Sequence, residues 1–109
     1  MQNEEKLIRY FKLFSEKNIF LLREMFSDDI SLIDWEINAF GIDEVVEQNL
    51  RIFKSVSSIE VKLISYINEG MRFAAELEIF INKKDVINVV DIIEFDEKGF
   101  IKSIRAYKG

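Results

Sequence analysis

The chain has no cysteine, no histidine and no proline among its 109 residues, and only four glycines. Without cysteine there is no disulfide and no thiolate nucleophile. Without histidine there is no Ser-His-Asp triad, and with both absent zinc sites built on these ligands are excluded. An all-carboxylate metal site stays open in principle. No EF-hand loop and no spacing of ligands points to one, so neither metal nor cofactor is expected. The glycines are too widely spread for a phosphate-cradling loop. Acid–base chemistry is therefore left to carboxylates, tyrosines, lysines or bound water. With no proline, the turns rest on Gly, Asn, Asp and Ser. No basic run occurs, and fifteen Lys and Arg against twenty Asp and Glu give a net charge of −5. A nucleic-acid partner is not expected from such a balance. No apolar stretch is long enough to span a bilayer and no signal peptide opens the chain, so the default expectation is a cytoplasmic protein without a membrane partner.

What the chain has is apolar bulk. Hydrophobic residues make up 49% and ten of the residues are phenylalanine, enough for a bulky core or an apolar cavity. One domain over residues 1–109 is expected, with no linker, repeat or low-complexity segment.

Leu7, Phe11 and Phe14 recur at helical spacing over residues 3–15, with Tyr10 flanking the stripe. Taken alone, Tyr10 reads as a core-edge tyrosine. Asn18 suits the end of that helix and the cap of a second, shorter one over 19–26. Ser27, Asp28 and Asp29 read as a turn, and 30–37 as a strand. Ile30, Leu32, Asp34 and Glu36 share one face of that strand, so Asp34 either points into a cavity or marks where the face meets solvent. After a connection at 38–41, residues 42–54 form a third helix whose stripe of Val45, Val46, Leu50 and Phe53 is interrupted by Asn49. A buried amide needs partners, so Asn49 either faces a polar-lined pocket or bonds locally to backbone.

Three alternating runs close the chain, over 58–68, 71–81 and the hairpin 86–107, whose turn is Asp96–Gly99. In the first run Ile59, Val61, Leu63 and Ile67 are in phase. Ile64, Tyr66 and Phe80 fall on the phase opposite the main core, which suggests that the outer sheet face packs against a second copy, as a homodimer. The first strand of the hairpin places Ile87, Val89, Asp91, Ile93 and Phe95 on one face. A carboxylate among four large apolar side chains is costly unless protonated or paired. Asp91 is thus a candidate neutral carboxylic acid, its pKa raised by desolvation. The alternatives are partial exposure near a sheet end, or pairing with a base such as Arg105.

The order α-α-β-α-β-β-β-β, the stretch MFSDDISLID ending at Asp34, and VVDIIEFDEKGFIKSIRAY around Asp91 resemble the NTF2-like, or SnoaL-like, superfamily. Within it the pattern is most similar to bacterial ketosteroid isomerases. The resemblance implies an α+β cone, with three helices packed on a strongly curved, mainly antiparallel sheet. It implies proton transfer beside a carbonyl of a small apolar ligand, by an isomerase or a related lyase or cyclase. Asp34 would be the general base, and Tyr10 and protonated Asp91 would donate to the enolate oxygen. Asn49, Trp35, Phe53, Val89 and Ile93 are candidates for the ligand-binding wall. The sequence departs from the resembled pattern at Asn49 and Lys108, where some members have tyrosine and tryptophan, and at Trp35, which replaces a proline. The rival expectation is a non-catalytic binding or dimerisation module on the same fold.

Overall fold

The computed structural model describes residues 2–109, and the first reversal of the chain turns on one asparagine. The helix α1 (Gln2–Ser15) carries Glu4 and Glu5 in its first turn and buries Leu7, Tyr10, Phe11 and Leu13. Lys17, at φ 56°, takes the left-handed conformation that stops the helix. Asn18 Oδ1 then accepts the Leu21 N–H at 3.1 Å, capping α2 (Ile19–Met25).

From Phe26 the chain is extended. The strand β1 (Phe26–Ile33) therefore starts and ends four residues before the expected 30–37. Asp28 and Asp29 look like turn residues in sequence. They are instead exposed in an irregular part of β1, where Ser27 Oγ donates to Asp29 Oδ1 at 3.0 Å. A short strand that periodicity missed, β2 (Asn38–Phe40), folds back antiparallel on β1. Three residues are too few to show an alternation. Gly41, at φ 90°, opens α3 (Ile42–Ser55), which buries Val45, Asn49 and Phe53 at four-residue spacing. That φ favours glycine because it lacks a Cβ.

The remaining strands, β3 (Ile59–Glu69), β4 (Arg72–Ile81), β5 (Asp85–Phe95) and β6 (Ile101–Lys108), form the expected antiparallel meander. The early strand joins it by lying parallel to β6, giving one six-stranded sheet of order β2-β1-β6-β5-β4-β3. The fold is α+β, with three helices and a mostly antiparallel mixed sheet. Its core is a single cluster in which α1 and α3 meet edge-on through Phe14 and Phe53, ring centroids 4.9 Å apart. Ser15 ties the end of α1 to the sheet edge: its Oγ accepts the Val61 N–H at 2.8 Å and donates to the Phe11 carbonyl at 2.9 Å.

One irregularity resets a whole strand end. The β3–β4 register shifts between Leu63 and Ser65. An extra residue in one strand inverts the facing of everything beyond it. Tyr66, expected on the outer face, is therefore packed inward on Phe73, with centroids 5.8 Å apart, and its hydroxyl donates to Glu4. Ile67, expected inward, is 77% exposed. Phe73 in turn meets Phe95 edge-on at 5.8 Å. These three rings fill one end of the sheet, while its other end carries smaller aliphatic side chains.

Candidate functional site

Asp91 lies mid-strand on β5, between small neighbours on both adjacent strands. It pairs with Ala75 on β4 and Ala106 on β6. Two methyl side chains flank the carboxyl where the next inward positions carry Ile93, Leu77 and Ile104. Asp91 is buried, and Arg105 points to the opposite, exposed face, so the expected alternative of an ion pair between them does not occur. Burial first, and the Asp34 charge second, push the Asp91 carboxyl from its ordinary 3.8 up to about 7. Both causes disfavour the ionised form.

Asp34 is not a strand residue. It follows β1 in the tight link to β2, where its Oδ1 accepts the N–H groups of Glu36 at 2.7 Å and Ile37 at 2.6 Å. Its own N–H donates to the Ile37 carbonyl at 2.9 Å. This aspartate-capped turn is what ends β1 early. It clamps one carboxylate oxygen and leaves Oδ2 without a bonded partner among the described residues.

Tyr10 comes from α1 and is buried among the tilted rings of Phe11, Phe14 and Phe26, with centroids 5.3, 6.0 and 6.4 Å away. Burial, and then the Asp91 charge, push its hydroxyl above the ordinary tyrosine range. It is therefore held neutral as a hydrogen-bond donor.

Tyr10, Asp34, Asn49 and Asp91 all line one cavity of about 550 Å³ between the helices and the sheet. Its size is typical of small-molecule pockets. The wall is mostly aliphatic and aromatic. Trp35 and Val89 line it as expected; Phe53 and Ile93 do not, being packed instead into the core. Phe53 is taken up by its contact with Phe14, and Ile93 lies towards the ring-filled end of the sheet. Trp35 is 44% exposed, and the Lys108 ammonium sits 5.7 Å from its ring centroid. Two departures from the resembled pattern thus meet at the cavity, and the third, Asn49, lines it as well. Among the residues that sequence reasoning missed are Ala106, which lines the cavity, and Ala75, which is packed into the core on the other side of Asp91. Their signal was present as small side chains in inward phase, but their pairing with Asp91 depends on register.

No helix among the described residues is long and apolar enough to cross a membrane. No protein-family model matches the sequence, and no curated protein matches it. Solved structures do. A candidate SnoaL-like polyketide cyclase from Shewanella denitrificans OS-217 superposes with a TM-score of 0.87 at 12% identity, covering 98% of this chain and 90% of that one. A candidate isomerase of the SnoaL-like family from Agrobacterium tumefaciens str. C58 gives 0.85 at 11% identity, covering 99% and 97%. An NTF2-like protein of unknown function from Cytophaga hutchinsonii ATCC 33406 gives 0.82 at 10% identity, covering 98% and 89%. The chain has the NTF2-like, SnoaL-like fold.

Proposed function

We propose that this NTF2-like domain is an acid–base enzyme of the ketosteroid-isomerase kind, moving a proton at the carbon next to a carbonyl of a small apolar ligand. The observation that carries the reading is the pairing of two carboxyl groups on one apolar cavity. One is clamped in a turn at the rim, and the other is pushed towards neutrality by burial. The carboxyl that burial pushes up suits the acid, and the clamped one, with one oxygen left free among the described residues, suits the base.

Asp34 Oδ2 takes the proton from the carbon, and the bonding pair becomes the enolate, with charge on the carbonyl oxygen. Tyr10 and protonated Asp91 donate to that oxygen as the charge develops. Protonated Asp34 then returns the proton to the same or a conjugated carbon, so nothing is consumed. The two backbone N–H bonds on Oδ1 hold the base in place, which matters because misplacing a reacting group is costly in rate. Losing one oxyanion donor typically costs about 10²–10³ in rate. A candidate isomerase and a candidate polyketide cyclase share this fold, which supports reading the domain as an enzyme.

The same reading includes a homodimer. The outer sheet face exposes Val86, Val90 and Tyr107, and Val90 and Tyr107 are directly paired across β5 and β6. A second copy is the partner that would cover them.

The test is deuterium exchange at the carbon next to the carbonyl, followed by NMR over a panel of small cyclic ketones. The wild type should exchange at least one ketone, and Asp34→Asn should abolish that exchange. Equal exchange by Asp34→Asn would refute the mechanism. Binding without exchange by the wild type would favour a non-catalytic binding module.

A further inference from the structure

The face of α3 that meets the sheet is apolar at every buried position but one. Val45 and Phe53, one helical turn to either side, are buried and aliphatic or aromatic, and Asn49 between them is only 2% exposed. Among the described residues its Nδ2 has no hydrogen-bond partner and, as the amide is set, almost no open surface, so a half-turn of the amide about χ2 is what turns that donor towards the cavity. A buried donor left unmade is destabilising, and leucine would continue the stripe in much the same volume without that penalty. Local bonding to the helix backbone, the ordinary refuge of a buried asparagine, is not what this amide does. It lies on the wall of the cavity that also holds Tyr10, Asp34 and Asp91.

We propose that Asn49 is a second recognition point, and that the ligand carries, besides its reacting carbonyl, a second oxygen that accepts a hydrogen bond from Asn49 Nδ2 once the amide has turned towards the cavity. This deepens the reading of the cavity as a carbonyl site and rests on it. The roles divide by chemistry. Tyr10 and Asp91 are the pair suited to an oxygen that gains charge, because both are held as neutral donors. Asn49 neither gains nor loses a proton, so it suits an oxygen whose charge does not change, such as a carbonyl, hydroxyl or ether on another part of the ligand. The substrate class is an oxygenated ketone rather than a plain hydrocarbon ketone. A ligand without the second oxygen would leave the Asn49 donor as unpaired as it is in the free protein, and sites built to hydrogen-bond a ligand group discriminate against analogues lacking it.

Matched probes separate this contact from simple filling of the cavity. The 5-, 6- and 7-methoxy derivatives of 1-tetralone each offer an ether oxygen where the corresponding methyl derivatives offer none. Affinities of all six, and of 1-tetralone itself, are measured by NMR titration with wild type and Asn49→Leu. The wild type should bind at least one methoxy isomer about tenfold more tightly than its methyl twin, the scale of one added hydrogen bond. In Asn49→Leu that ratio should fall to about one. A wild type that prefers no methoxy isomer overturns the proposal, whether or not the variant folds. So does a preference that survives in Asn49→Leu. If 1-tetralone binds while either of these results is found, only the role of Asn49 falls. If no tetralone binds, this inference falls, while the carbonyl-site reading stands or falls on exchange over the wider ketone panel.

Discussion

Replacing Asp91 by asparagine should stabilise the protein, and the gain should grow with pH. In the folded chain the Asp91 carboxyl titrates at about 7, against 3.8 ordinarily. Below pH 3.8 it is neutral in both folded and unfolded states, so it imposes no ionisation penalty. Between these two values the unfolded chain releases the proton while the folded one keeps it. The folded state then binds more protons, and stability falls as pH rises, by up to about 1.4 kcal/mol per pH unit. Above about pH 7 both states are ionised and the loss levels off. Across the whole window it amounts to about 4 kcal/mol. Set against a typical total of about 5–15 kcal/mol, that is a large sacrifice for one side chain. Asp91→Asn keeps the shape and removes the ionisation. The assay is urea denaturation of both proteins at steps from pH 4 to pH 9. The variant's advantage at pH 9 should exceed its advantage at pH 4 by about 4 kcal/mol. Subtracting the two proteins cancels the titration of the carboxylates that do not feel Asp91, and leaves its coupling to Asp34 within the measured difference. A difference that does not change with pH, or that shrinks as pH rises, would refute the claim that burial holds this carboxyl protonated.

The same shift shapes the exchange reaction. Exchange by the wild type should decline as pH rises through about 7, where Asp91 loses its donor proton, and Asp91→Asn should lack that decline. The bulge in β3 predicts that Ile67→Lys changes urea stability by less than about 0.5 kcal/mol, as surface changes do. Tyr66→Ala, by contrast, should cost about 2 kcal/mol or more by emptying packed space. The reverse ranking would mean that the strand keeps its phase throughout. Sedimentation equilibrium at micromolar concentration should give twice the mass of one chain, and Val90→Glu should shift it towards the monomer. A monomeric wild type would remove the outer sheet face as an interface.

The helices and the meander were legible because their signals are local. Leu7, Phe11 and Phe14 repeat at the pitch of a helix, and Phe73, Ala75, Leu77 and Ile79 repeat at the period of a strand. Either pattern survives whatever the rest of the chain does. The burial of Asp91 was legible for the same reason, since four apolar residues share its phase on one strand. Tertiary structure alone decided the parallel pairing of β1 with β6, because a hydrophobic strand carries no mark of its neighbour's direction. It alone decided the facing of Tyr66 and Ile67, because one residue inserted by a bulge inverts the alternation without interrupting it. Asp34 was recognised as a candidate but assigned to the wrong element. Its clamp is a set of hydrogen bonds to Glu36 and Ile37, and apolar periodicity does not record hydrogen bonds. The cavity itself depends on register, which sets Ala106 beside Asp91 on the cavity wall and so leaves open volume that a larger side chain there would have filled.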